Sequence, residues 1–180
     1  AYPGKRNTTE AHWQTIKNHG FADIAPCDIL DEEGETALKV DGGKHLKENY
    51  VGSHIKNYDS ILMLSHFKGH AMGGLGGALK NMSIGLASSR GKLWIHNSGQ
   101  GEDFDSIFTS DHNSFLESMA DADKSVIDYI GKDNLAYINV ANNLSVDCDC
   151  NANPAEPEMD DIGIFASLDP VAVDQACATY

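Results

Sequence analysis

Long hydrophobic segments and basic residues are both scarce in this sequence of 180 residues. The longest unbroken apolar run, Ile61 to Leu64, is far shorter than the roughly 20 apolar residues of a membrane-spanning helix. Lysine and arginine total 13 against 27 aspartate and glutamate residues, which gives a formal net charge of -14. A surface with this charge repels the phosphate backbone of nucleic acids. We therefore expect neither a membrane span nor a nucleic-acid partner.

The four cysteines are too few for a disulfide-stapled scaffold in a chain of this length. Cys148 and Cys150 are separated by a single residue, a spacing that disfavours a disulfide bond between them. We expect reduced thiols and a cytoplasmic location.

Hydrophobic residues make up 41% of the sequence, which is enough to form a buried core. We expect residues 1–180 to form a single α/β domain. Because the chain begins at Ala1 without a signal-like stretch and ends at Tyr180 inside an apparent helix, we also expect it to be a fragment of a longer chain.

Helix-forming and strand-forming patterns alternate along the chain. Apolar spacing and capping residues predict helices over Thr8–Gly20 and Asn113–Ile130, and another beginning at Ala78. Short apolar runs predict strands, with Ser60–Leu64 as a central strand covered on both faces. The other predicted strands are Thr36–Val40, Lys92–Ile95, Leu135–Val140 and Ile162–Phe165. This alternation predicts an α/β fold with a largely parallel or mixed sheet flanked by helices.

A helix start is predicted at Asp169, which precedes Pro170 and can cap the first turn. Asp174 follows about one turn later, and the sequence leaves open whether it lies on the surface or supports a site.

The segment SHFKGHAMGGLGGALKN follows the predicted central strand and combines histidine, lysine and flexible glycines. A glycine loop that opens a helix can offer amide donors to an anion, and lysine side chains can add positive charge there. The glycine spacing matches neither the GxxxxGK(S/T) phosphate loop nor the GxGxxG dinucleotide-binding motif. We predict an anionic cofactor or ligand at this loop, held by Lys68, Gly73, Gly74, Gly76, Gly77, Lys80 and Asn81. The alternative is that the glycines permit close packing and the histidines cap backbone groups.

A second candidate site is Cys148-Asp149-Cys150, because thiolates bind zinc, iron and iron–sulfur clusters. Two thiols are an incomplete ligand set, which His66, His70, His96 or a carboxylate could complete. We predict His70 as the further metal ligand. The alternative is an exposed acidic turn with two ordinary thiols.

Four motifs in order give the chain a family resemblance: SHFKGHAMGGLGGALKN, MSIGLASSRGKLWIH, CDC and DIGIFASLDPVAVDQAC. Together they resemble the domain-of-unknown-function 362 family, whose members are described as uncharacterised iron–sulfur centre proteins. Many members carry a ferredoxin-type insert after the segment that corresponds to Lys92–His96. Here Asn97–Asn113 contains no cysteine, so a cluster implied by this resemblance would have to use Cys148 and Cys150.

The chain also has a histidine, then a lysine in the glycine loop, then a later histidine. This order is similar to a pattern in the N-terminal domain of nickel-pincer lactate racemases. This similarity implies cofactor binding or acid/base roles for His66, Lys80 and His96.

These observations lead to two functional hypotheses. In the first, the protein binds a metal ion, an iron–sulfur cluster or an anionic cofactor for redox or acid/base chemistry. His66 or His96 would then be the catalytic proton-transfer group. In the second, the protein is a non-catalytic accessory domain that docks or matures an iron–sulfur or redox protein partner through its acidic segment Asp147–Asp161. The sequence leaves open whether the protein is an enzyme.

Overall fold

A computed structural model describes Gly4, residues 6–148, Asn151 and residues 153–179, apart from the side chain of Phe108. The helices are α1 (Thr9–Asn18), α2 (Phe21–Ile24), α3 (Ala78–Lys80), α4 (Ser89–His96), α5 (His112–Ile130) and α6 (Pro170–Thr179). The strands are β1 (Glu35–Lys39), β2 (Glu48–Gly52), β3 (Ile61–His66), β4 (Lys68–His70), β5 (Gly74–Gly76), β6 (Leu135–Ala141) and β7 (Gly163–Ser167). Short 3-10 turns lie at Ser53–Asn57, Asp105–Phe108 and Lys132–Asn134, and a π-helical turn, Asn81–Gly85, continues α3.

A three-stranded mixed sheet with the order β3-β6-β7 organises the fold. β3 and β6 are parallel, with Ile61 opposite Leu135, whereas β7 is antiparallel to β6, with Ser167 opposite Tyr137. Helix α6 packs against β6 and β7, and α3 packs against β3 and β6. This arrangement confirms the predicted α/β class. The hairpins β1-β2 and β4-β5 form two further antiparallel pairs.

The main core lies between the sheet and the helices that pack on one of its faces. Met82, Val126, Tyr137 and Val173 are almost completely buried in one apolar cluster. Met82 belongs to the π-helical turn after α3, so this cluster holds the end of the glycine-rich loop against the sheet.

Several predicted helix boundaries are confirmed by their capping bonds. Thr8 Oγ1 accepts from the Ala11 amide at 3.2 Å, and Asp111 Oδ2 accepts from the Ser114 amide at 2.8 Å. Asp169 Oδ1 accepts from the Val171 amide at 2.8 Å, as the predicted cap at this helix start requires.

β3 is an edge strand, so the prediction of a central strand covered on both faces is wrong. β6 is the central strand. Met63 is buried, but the neighbouring Leu62 and Leu64 are 54% and 61% exposed. An apolar run indicates a strand but does not reveal whether a second layer covers its other face, because that layer comes from elsewhere in the fold.

The strand predicted at Lys92–Ile95 is also wrong, since these residues belong to α4. Ser88 caps this helix by accepting from the Gly91 amide at 2.9 Å. The run is too short to distinguish a helical period from a strand period, and the capping serine decides between them.

No helix in the described part of the chain is both long and apolar enough to cross a membrane.

Candidate functional site

A cavity of about 670 Å³ lies at the carboxyl end of β3. Its walls come from the end of this strand, the β5–α3 junction, the π-helical turn and the segment before β1. Six basic or imidazole side chains line it, and we refer to it as the basic cavity: Arg6, His12, His66, Lys68, Lys80 and Lys92. In α/β proteins, the residues that follow the carboxyl ends of parallel strands commonly form ligand-binding sites.

Positive side chains within the basic cavity lower one another's pKa. Burial lowers the pKa of Lys92, Asp31 opposes this by raising it, and Lys80 and Arg6 lower it further. Burial also lowers the pKa of His12, and Arg6 adds to that effect. A bound anion would offset this mutual repulsion.

Asp174 on α6 fixes the start of α3 beneath the basic cavity. Its Oδ1 accepts from the Ala78 amide and from Asn139 Nδ2, both at 2.7 Å, and its Oδ2 accepts from the Leu79 amide at 3.0 Å. Gly77 must lack a side chain here, because a Cβ atom would lie 2.3 Å from Asp174 Oδ1. Asp174, whose role the sequence leaves open, is thus buried and supports this site.

Two amides at the start of α3 are engaged within the protein. The amides of Ala78 and Leu79 donate to the buried carboxylate of Asp174. The positive charge that faces the cavity therefore comes from side chains such as Lys80 rather than from these amides.

The glycine-rich segment and the Cys148 turn lie close together. Lys80 Nζ is 3.7 Å from Cys148 Sγ, and both residues line the basic cavity. The Gly69 amide donates to the Ser145 carbonyl at 2.8 Å. A Cβ atom on Gly69 would lie 2.2 Å from the Val146 carbonyl oxygen, so only glycine permits this approach.

His66 ends β3 and lines the basic cavity. Its Nε2 is 2.7 Å from the Asn142 carbonyl oxygen. A carbonyl oxygen only accepts hydrogen bonds, so Nε2 carries the hydrogen in this contact. Lys68 Nζ donates to the His66 carbonyl at 2.9 Å, which keeps these two side chains on the same rim.

Asn81 also lines the basic cavity, together with Gly76 and Gly77. Asn81 Nδ2 donates to Ser65 Oγ at 3.0 Å, which ties the π-helical turn to β3.

A family model for a domain of unknown function, DUF362, matches residues 2–179, nearly the entire chain. The chain belongs to the DUF362 family. No curated protein and no solved structure matches it.

Several residues predicted as functional in this DUF362 chain do not line the basic cavity. His70 Nδ1 accepts from the amides of Met72 and Gly73 at 3.2 and 2.9 Å and closes the turn between β4 and β5. Gly74 begins β5 directly after this turn, with a φ of 74°. This agrees with the alternative that loop histidines cap backbone groups, while the ligand roles of His70, Gly73 and Gly74 stay predictions.

His96 is buried at the end of α4 and also does not line the basic cavity. Its Nδ1 is 2.6 Å from the Lys92 carbonyl oxygen, and its ring stacks on Phe115 at a centroid distance of 4.6 Å. Burial lowers the pKa of His96 to about 4, so the ring is neutral at pH 7. Its catalytic role stays a prediction.

Of the three predicted metal ligands, Cys148 and His70 are described, whereas Cys150 lies outside the described residues. Among the residues that are described, no group of three histidine, cysteine, aspartate or glutamate side chains is arranged to hold a metal ion. Cys177 is buried in an apolar cluster with Phe67, Ala141 and Leu144.

Proposed function

We propose that this DUF362 protein binds an anionic small molecule, carrying a phosphate or carboxylate group, in the basic cavity. The observation that carries this proposal is the gathering of Arg6, Lys68, Lys80 and Lys92 around one cavity in a chain with a net charge of -14. Two carboxylates, Asp28 and Asp31, also line the cavity, so its lining is net positive by two charges, four cations against two anions. On such a chain, a local excess of positive charge directs anions to one place.

In this proposal, binding and proton transfer are carried out by different side chains. Lys68 and Lys80 hold the anionic group from two sides of the cavity. His66 lies on the same rim and is the proposed proton donor or acceptor. Asp174 does not face the ligand in this proposal, and it acts by fixing the backbone that carries Lys80.

Isothermal titration with pyrophosphate and with citrate tests the proposal at low ionic strength. We expect Lys80→Ala to weaken binding of at least one of these anions by 10-fold or more. Lys39→Ala is the matched control, because Lys39 is highly exposed, is paired with Asp41 and does not line the cavity. Equal affinity of the two variants for both anions would contradict the proposal.

A metal ion or iron–sulfur cluster bound through Cys148 and Cys150, with His70, is a second candidate. The position of Cys148 in the basic cavity favours it, because cysteine sulfur is a ligand of zinc, iron and iron–sulfur clusters. The neighbouring Lys80 ammonium repels a metal cation, so this candidate ranks second.

Metal quantification and a visible spectrum on anaerobically purified protein test the second candidate. We expect stoichiometric metal that is lost in the Cys148→Ser/Cys150→Ser variant and retained in Cys27→Ser. Metal-free wild-type protein that still binds the anion would contradict the second candidate and support the first.

A further inference from the structure

One face of the main sheet is apolar and open. Because side chains alternate along a strand, eight positions of the three paired strands share this face, and seven of them are apolar. They are Leu62, Leu64, His66, Ala136, Ile138, Val140, Ile164 and Ala166. We call this surface the outer sheet face.

Exposure on the outer sheet face is high at both edges. Leu62 and Leu64 on β3 are 54% and 61% exposed, and Ile164 on β7 is 71% exposed. The opposite face carries Met63 and Tyr137, which are buried beneath the helices. Parallel strand pairs such as β3 and β6 are usually covered on both faces, so an open apolar face indicates a binding surface.

The dimensions of the outer sheet face suit a single helix. Three strands about 4.8 Å apart are roughly 14 Å wide, and the shortest of them, β7 with 5 residues, is about 17 Å long, which gives about 240 Å². A stable interface between two globular copies needs about 800 Å² on each side. A helix about 10 Å wide spans 17 Å with about 12 residues, which matches this footprint.

Negative charge lies along one end of the outer sheet face. Asp59 precedes β3, Asp133 precedes β6, and Asp169 follows the antiparallel β7, so all three mark the same end of the sheet. All three are exposed. Lys132 is a neighbouring cation and leaves this end net negative. Two copies that met through this face would also bring together two chains of charge -14, which disfavours self-association.

We propose that the outer sheet face binds a basic amphipathic helix of a partner protein. The apolar side of the helix packs on Leu62, Ile138 and Ile164. Its lysine or arginine side chains approach the acidic end formed by Asp59, Asp133 and Asp169.

Fluorescence anisotropy with a labelled peptide tests this proposal. The peptide has 14 residues, with leucines at helical spacing flanked by lysines. We expect Leu62→Glu/Ile164→Glu to weaken peptide binding by at least 10-fold. The matched control is Phe21→Glu/Ile24→Glu, which adds the same charge at exposed apolar positions on α2. This control should bind as tightly as the wild type.

The acidic end has its own test. Asp59→Asn/Asp133→Asn should weaken peptide binding several-fold and reduce its dependence on salt, because fewer charge pairs are screened. Circular dichroism verifies folding, and Leu62→Ser/Ile164→Ser replaces the glutamate variant if that variant unfolds.

Two results would overturn the proposal. One is equal peptide affinity for the sheet-face variant and the α2 control variant. The other is a wild-type dimer in sedimentation velocity that Leu62→Glu/Ile164→Glu abolishes, because this would assign the face to a second copy.

Discussion

Asp174→Asn is expected to lower the free energy of unfolding by about 3 kcal/mol although side-chain volume is nearly unchanged. The two carboxylate oxygens of Asp174 accept three hydrogen bonds, from the amides of Ala78 and Leu79 and from Asn139 Nδ2. An asparagine side chain has one acceptor oxygen. Its NH2 group must therefore face at least one of these donors.

The magnitude follows from the three bonds to Asp174. Losing one bond to a charged acceptor costs about 2 kcal/mol. The other two bonds become bonds to a neutral acceptor, at a cost of about 0.5 kcal/mol each. For a chain of this size, a loss of about 3 kcal/mol lowers Tm by roughly 6–12 °C.

Urea unfolding followed by circular dichroism measures this loss. The control is Asp128→Asn, because Asp128 is half-exposed and pairs with Lys124 one turn away on α5. The control should cost less than about 0.5 kcal/mol. An Asp174→Asn protein whose stability lies within about 1 kcal/mol of wild type would refute the assignment of Asp174 as the support of this loop.

Three further predictions address buried groups. Gly77→Ala should destabilise the protein by about 2 kcal/mol or more in urea unfolding, because the new Cβ would lie 2.3 Å from Asp174 Oδ1. Burial, followed by the charge of Asp174, raises the pKa of Asp123, so native Asp123 keeps a proton that the unfolded chain releases above about pH 4. Stability should therefore fall as pH rises from about 4 towards the raised native pKa of Asp123, and Asp123→Asn should reduce that slope by up to about 1.4 kcal/mol per pH unit. Because burial lowers the pKa of His96 to about 4, its NMR chemical shift should stay constant from pH 8 to pH 5.5, and a midpoint near 6.5 would contradict its burial.

The sequence was sufficient for elements whose signals are local. α5 has an apolar stripe, a capping aspartate at Asp111 and a closing glycine at Gly131, and all three act within the helix itself. β6 was predicted from its short apolar run for the same reason. The strand prediction for Lys92–Ile95 is wrong because four residues carry too little periodicity, and the signal that identifies a helix here is the cap at Ser88.

The parts of the site that the sequence did not predict depend on distant contacts. Asp174 lies 95 residues or more from the amides that it accepts from, so no local pattern reveals the pairing. A signal was nevertheless present. Asp174 stands between Val173 and Cys177 on the buried side of α6, where a carboxylate requires partners. Lys80 and Cys148 are 68 residues apart in the sequence, so their contact is likewise set by the fold.

The basic cavity and the outer sheet face are adjacent but select opposite charges. Leu64 belongs to the outer sheet face and also lines the cavity, so the two surfaces meet at the end of β3. The cavity presents lysine and arginine side chains, which favour anions, whereas the far end of the sheet presents aspartates, which favour cations. The anion test changes Lys80, whereas the helix test changes Leu62, Ile164 and two aspartates at the far end of the sheet, and none of these four positions lines the cavity. An anion that fails to bind therefore leaves the helix proposal intact, and the reverse also holds.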